Sequence, residues 1–214
     1  MKKALFISAS TLVAFILWTM LVKFVDVKPI GPRGSVVGLA SVNEAVHRLT
    51  GTNMTLYNIT DWLGLVPVAF AMGFAMLGLV QLIKRKSILK VDSSILLLGG
   101  FYIALLAVFL FFEEVVLNYR PTLINGYLEA SYPSSTTLLV TCIIPTTMMQ
   151  LNSRIASKTA NTAINLALTA FTIFMVTARL ISGVHWLTDI IGGILISVSL
   201  VTAYHTLAHR KADK

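Results

Sequence analysis

The chain has 214 residues, 56% of them hydrophobic and 12% charged, with a mean hydropathy of +0.82. That mixture excludes a disordered chain and argues against a water-soluble domain, whose charged fraction is about twice as high. The formal charge is +8, from 17 Lys and Arg against 9 Asp and Glu, and in an apolar chain this excess reads as the cytoplasmic bias of basic residues, not as nucleic-acid binding. The one cysteine, Cys142, sits in an apolar run and excludes a disulfide framework and a cysteine-based zinc cluster.

Six apolar runs have the length of a spanning helix: residues 4–25, 63–83, 94–112, 134–151, 162–179 and 186–208. The first follows Met1-Lys2-Lys3 like a secretion signal. It is longer than a signal core and runs into Lys23 and Asp26 without a small-residue cleavage site, so it reads as an uncleaved helix. Residues 26–62 form the longest polar segment. It holds Pro29, Gly31, Pro32 and Gly34, then a helical spacing at Val42, Ala45, Val46 and Leu49. This stretch reads as an amphipathic helix on the outer leaflet, with a lid or lipid-access wall carrying His47 as the functional alternative. Asn53-Met54-Thr55 and Asn58-Ile59-Thr60 match glycosylation sequons by chance. Gly99-Gly100 and Gly192-Gly193 read as close helix–helix approaches. Pro145, Thr146 and Thr147 interrupt the fourth run, which suits a helix buried in a bundle. Trp18, Trp62 and Trp186 read as membrane-belt anchors.

The expected architecture is therefore an all-α, polytopic bundle of six transmembrane helices forming one domain over residues 1–214, in the cell membrane. With a cytoplasmic N-terminus, the cytoplasmic segments hold 11 basic residues, the last being Arg210, Lys211 and Lys214, and the other side holds 6. Only two acids, Asp92 and Asp213, fall inside, and seven fall outside. Both termini are thus expected in the cytoplasm.

Polar residues gather at the outer ends of helices three to six, in three groups. They are Glu113, Glu114, Asn118, Tyr119, Arg120 and Pro121; then Tyr132, Pro133, Ser134, Ser135, Thr136 and Thr137; then Arg179, Ser182, Gly183, His185 and Asp189. Ionisable groups at membrane depth are costly and mark function; the plain alternative is interfacial anchors and caps. His185 and Asp189 are four apart and share a helix face, where the carboxylate can orient the imidazole and leave its other nitrogen basic. Arg179 and Arg120 supply planar donors for phosphate oxygens. Ser134 and Ser135 open a helix whose free N–H groups suit an anion. Together these point to phosphoryl chemistry on the outer face, with no metal cluster.

Arg179-x5-His185-x3-Asp189 resembles the third signature of the type 2 phosphatidic acid phosphatase (PAP2) superfamily. Arg120-Pro121 resembles the end of its first signature, Lys-x6-Arg-Pro, and Tyr132-Pro133-Ser134-Ser135-Thr136 its second, Pro-Ser-Gly/Ser-His. The resemblance spans roughly Leu63 to Leu207. It implies a metal- and cofactor-independent lipid phosphatase with an extracytoplasmic site. His185 would form a phosphohistidine and Asp189 would orient it. Arg120, Ser134, Ser135, Thr136, Arg179 and Gly183 would hold phosphate. The implied partners are a lipid phosphate or diphosphate and membrane lipids, with no nucleic acid. Two positions depart from the family pattern. Glu113 replaces the first-signature lysine, and Thr136 replaces the histidine that protonates the leaving group. Threonine has no useful pKa for proton transfer near neutrality, so a polyprenyl diphosphate is the expected preference. The alternatives are a catalytically impaired lipid-phosphate binder, a flippase-like protein, or an unrelated transporter.

Overall fold

The computed structural model describes residues 2–212, with side chains through Ala208; Asp213, Lys214 and the side chains of Arg210 and Lys211, counted above as cytoplasmic charges, lie outside that description. Among the described residues eight α-helices follow in order: α1 (Lys2–Phe24), α2 (Ala40–Thr50), α3 (Met54–Leu63), α4 (Leu65–Arg85), α5 (Ser93–Glu114), α6 (Ser135–Asn152), α7 (Lys158–Ile181) and α8 (Leu187–Ala212). Among the described residues there is no strand, only three isolated bridges in loops.

Long apolar runs become helices because a helix satisfies every backbone polar group within its own segment, which hydrocarbon cannot do. Among the described residues, five stretches are long and apolar enough to cross a membrane: α1, α3 with α4, α5, α7, and α8 through Ala208. They expose the surface a bilayer would cover, with Phe6 73%, Ile103 72% and Leu166 67% accessible.

The run expected at 134–151 is a helix, α6, of 18 residues, but it falls outside that set. Its composition follows from its place. It packs against α4, α5, α7 and α8 and buries ten of its residues. Two of its threonines are satisfied within the bundle: Thr146 donates to the Cys142 and Ile143 carbonyls, both at 3.0 Å, and Thr141 donates to Ser197 Oγ at 2.7 Å. A helix surrounded by helices needs no apolar coat.

α1 and α8 are antiparallel neighbours. Ser8 and Ser199 exchange hydroxyl-to-carbonyl bonds of 2.9 Å, and Trp18 Nε1 donates to the Thr188 carbonyl at 3.1 Å. The start of α1 and the far half of α8 therefore share one end of the bundle. The α4–α5 turn lies there too, where Arg85 pairs with Asp92 at 2.7 Å, and so does the end of α6. The polar groups of the candidate site occupy the opposite end.

Three expectations are corrected here. Gly99 and Gly100 are not helix-contact points, because a Cβ on either would meet nothing within 4 Å. Gly192 and Gly193 are: a Cβ on Gly192 would lie 2.7 Å from the Tyr132 ring. Trp186 is not a belt anchor. It is 3% exposed and donates through Nε1 to the Tyr119 carbonyl at 2.7 Å. Finally, the end of the outer segment is α3, which the apolar spacing missed; Asn53 caps it, accepting from Leu56 N at 2.9 Å.

Candidate functional site

Four side chains from four places in the fold meet under α2 and α3. His185 comes from the turn between α7 and α8, Asp189 from the first turn of α8, Arg179 from the last turn of α7, and Arg120 from the loop after α5. All are buried, from 0% exposure at Asp189 to 7% at Arg120.

The start of α8 fixes the acid. Asp189 is the third residue of the helix, and its Oδ2 accepts the Trp186 N–H at 2.9 Å, the reach-back half of a capping box. Asn118 Nδ2 approaches Oδ1 at 3.5 Å. The carboxylate cannot swing away, and its Oδ2 faces His185 Nδ1 at 3.5 Å. That distance is longer than a made hydrogen bond, and Nδ1 has no hydrogen-bond partner. Catalytic bonds are often this long before substrate tightens them. On the other side of the ring, Arg120 Nη1 lies 3.2 Å from Nε2. A guanidinium can only donate, so Nε2 is the acceptor, and Nδ1 carries the proton toward Asp189. Burial, reinforced by Arg120 and Arg179, drives the His185 pKa well below its usual value, so the ring is a neutral base.

Each arginine is held from the outer segments. Arg120 Nε pairs with Glu129 at 3.0 Å. Arg179 pairs with Asp61 at 3.5 Å and donates to Thr60 Oγ1 at 3.0 Å. The Tyr57 ring stands near both guanidinium carbons, 4.6 Å from Arg179 and 5.8 Å from Arg120. Arg120 Nε, Arg179 Nε and His185 Nδ1 are buried nitrogens without hydrogen-bond partners of good geometry. Three under-satisfied buried donors in one cluster need an acceptor, and an oxyanion supplies several at once.

Other expected residues fall less centrally. Ser134 is fully buried and caps α6, accepting from Thr137 N at 3.4 Å, while its own N–H donates to the Asp189 carbonyl at 3.1 Å. This ties the start of α6, with its free first-turn amides, to the start of α8. Ser135 faces a small cleft shared with Phe112, Glu113 and Tyr132, on the α5 side. Thr136 is buried, and among the described residues no side-chain hydrogen bond or ion pair joins Ser135 or Thr136 to the arginine–histidine cluster. Gly183 has φ +65°, its amide donates to the Leu180 carbonyl, and a Cβ would lie 1.6 Å from the Gly51 carbonyl oxygen. Glycine at 183 is therefore required by backbone conformation and by close packing of the α2–α3 link. Glu113 is exposed at the end of α5, and it is Glu129 that pairs with Arg120.

Sequence reasoning missed Asn43, Tyr57, Thr60, Asp61 and Glu129. Asn43 is fully buried and bonds Gly38 O at 2.9 Å, Thr188 Oγ1 at 3.0 Å and Thr188 N at 3.2 Å, which clamps α2 onto the start of α8. Only the acids among these carried a signal, as carboxylates expected on the side of the arginines.

Fold and site together define a helical membrane protein with a buried, arginine-flanked histidine set against an aspartate. Residues 114–213 match the family model of the PAP2 superfamily. No curated protein matches the chain. A crystal structure described as the first transmembrane PAP2 type phosphatidylglycerolphosphate phosphatase from Bacillus subtilis matches with a TM-score of 0.62 over 95% of this chain and 96% of that one. The two are 15% identical, and the likeness is one of fold.

Proposed function

We propose that the chain is a membrane lipid phosphatase that works through a phosphohistidine on His185. The superfamily match and the shared fold support the coarse reading of a membrane lipid phosphatase. The observation that carries the finer one is the line Arg120–His185–Asp189, at 3.2 and 3.5 Å, with a buried Nε on each arginine that makes no well-aligned hydrogen bond. Anion binding alone does not call for a neutral imidazole oriented by a carboxylate.

In this reading the phosphoryl group replaces Arg120 beside Nε2. His185 Nε2 attacks phosphorus, the bond to the leaving oxygen breaks, and Asp189 stabilises the charge that develops on the ring. Arg120, Arg179 and the first amides of α6 hold the equatorial oxygens. Water then attacks phosphorus, releasing orthophosphate and restoring the imidazole. The excess of basic residues at the other end of the bundle supports termini in the cytoplasm and a site on the extracytoplasmic side, with α6 as a sixth span in this reading.

The preferred substrate in this reading is a lipid diphosphate such as a polyprenyl diphosphate. Cleavage of a monoester expels an alkoxide that needs a proton, whereas cleavage of a diphosphate expels a phosphate ester already stable as an anion. A general acid contributes about 10²–10⁴-fold, and Thr136 cannot act as one. The test is phosphate release by purified protein from a prenyl diphosphate, a prenyl monophosphate, phosphatidic acid and phosphatidylglycerolphosphate, side by side. The diphosphate should turn over fastest, orthovanadate should inhibit, His185→Ala should abolish release, and Thr136→His should raise monophosphate turnover more than diphosphate turnover. Equal rates on phosphatidic acid and the diphosphate would end the preference. His47, whose ring sits 5.5 Å from that of Trp186, would then be the first proton donor to test. The second reading, a catalytically impaired lipid-phosphate binder, has Thr136 and the two carboxylates on the arginines in its favour. It predicts vanadate or lipid-phosphate binding with no phosphate release from any substrate.

A further inference from the structure

At the end of the bundle opposite the site, an apolar groove of about 530 Å³ runs between α4 and α5. Its walls include Phe74, Leu82, Ile88, Val91 and Gly99. It exists because Gly99 and Gly100 put no side chains into the gap between two otherwise bulky helices. The short helical turn at Ile88–Lys90 closes one end, so Ile88 and Val91 line the groove while their neighbours meet solvent.

Those neighbours are cations. Lys84, Lys86 and Lys90 are exposed and make no ion pair among the described residues. A fourth cation, Arg154 at the end of α6, sets its guanidinium carbon 6.0 Å from the ring centre of Phe74, a wall of the groove. Its bonds go to neutral oxygens, including Gln150 O at 2.8 Å and Ser94 Oγ at 3.3 Å. Asp92 is the sole acid at this end among the described residues, and it is spent: Arg85 pairs with it at 2.7 Å and Gln81 donates to it at 2.7 Å. Bonding to Arg85 and Gln81 holds its pKa below the usual carboxylate range, so it stays ionised and paired.

An apolar groove at membrane depth with an uncompensated cationic rim matches a molecule with a hydrocarbon chain and an anionic head. We propose that this groove is a binding site for an anionic phospholipid of the leaflet on the terminal side, one acyl chain lying between α4 and α5 and the phosphate held by Lys86, Lys90 and Arg154. The site is separate from the His185 cluster and does not depend on the reaction proposed there. Each basic residue near the membrane surface favours an anionic lipid roughly fivefold.

The test is native mass spectrometry of the full chain in mild detergent, with phosphatidylglycerol and phosphatidylcholine of matched chains in competition. Wild type should retain one phosphatidylglycerol with a preference on the order of a hundredfold. Lys86→Gln with Lys90→Gln should reduce the preference to about fivefold, the share of Arg154 alone. Gly99→Leu should abolish retention of both lipids, because a side chain there has open space to fill and need not distort the fold. Both variants should keep the lipid-phosphate activity and melting temperature of the wild type to within about twofold and a few degrees. Equal retention of the two lipids, or retention indifferent to Gly99→Leu, would overturn the proposal. So would a dimer in the wild type that Gly99→Leu dissolves, since the groove would then belong to a second copy of the chain.

Discussion

In the proposed mechanism His185 is the residue on which the chemistry turns, and its surroundings set a sign that pH can read. Burial and two guanidinium neighbours disfavour the charged ring, so its folded pKa lies well below the usual value of 6.5. Protonation of the nucleophile must therefore stop catalysis only well below pH 6.5. A pH profile of kcat/KM should show its His185 limb there, and moving Arg120 out, as in Arg120→Gln, should shift that limb upward. An acid limb at 6.5 or above in the wild type would contradict the assignment. Asp189→Asn should leave a folded protein slowed by orders of magnitude, as loss of the orienting carboxylate costs about 10⁴-fold in a comparable triad. Glu113 is the opposite case. It is exposed and outside the arginine pairs, so Glu113→Gln should keep most of the activity and the same pH profile. A loss of about 10²-fold would instead make it the proton donor that Thr136 is not.

At the scale of the element, the segment above the site is built as a cover pinned at few points. α2 holds on through Asn43, while Val42 is 50% and Leu49 87% exposed. The apolar stripe expected on this helix thus faces away from the bundle, which suits a helix lodged between protein and lipid. Beyond it, Gly51 lies against Gly183, Asn53 N–H donates to the Ser182 carbonyl at 2.9 Å, and α3 delivers Tyr57, Thr60 and Asp61 to Arg179. Removing the first pin leaves the Thr188 N–H and Gly38 carbonyl short of a partner, at about 1–3 kcal/mol for each buried group left unsatisfied. Asn43→Ala should lower the melting temperature and alter KM more than kcat, because it loosens the cover and leaves His185 in place. A fall in kcat alone would show that α2 positions the catalytic groups directly.

For the whole molecule, the chain reads as a bundle with two chemically distinct ends. Among the described residues, one carries the start of α1, the end of α8, most of the exposed lysines and a single paired acid; the other carries the buried histidine, its arginines and most of the carboxylates. Sided labelling tests which end faces outward. Tyr127 is 73% and Leu89 90% exposed, whereas the native Cys142 is fully buried and gives no background. A cysteine at Tyr127 should react with an impermeant thiol reagent from outside intact cells, and one at Leu89 only after lysis. Asn125 and Gly126 are poorer probes, since both have positive φ. The reverse pattern would move the site to the cytoplasm.

The positions of the long helices, the helical stretch near 42–49 and the set His185, Asp189, Arg120 and Arg179 were legible in the sequence. Each rests on a local rule: the length needed to cross hydrocarbon, the 3.6-residue period, or the four-residue spacing that puts two side chains on one face. The central place of α6 was only hinted at by Pro145 and its threonines. The carboxylates of Asp61 and Glu129, the Tyr57 ring between two guanidinium groups and the Asn43 clamp were not legible. Those contacts join residues tens of positions apart, and nothing in local spacing says which loop folds over which helix end. The same limit separates Gly192 from Gly99: the residue is identical, but one meets the Tyr132 ring and the other opens a groove. Sequence alone therefore determined the kind of solvent this chain needs and which groups could do chemistry. Tertiary structure decided which of those groups meet, because burial, pairing and orientation are properties of neighbours in space.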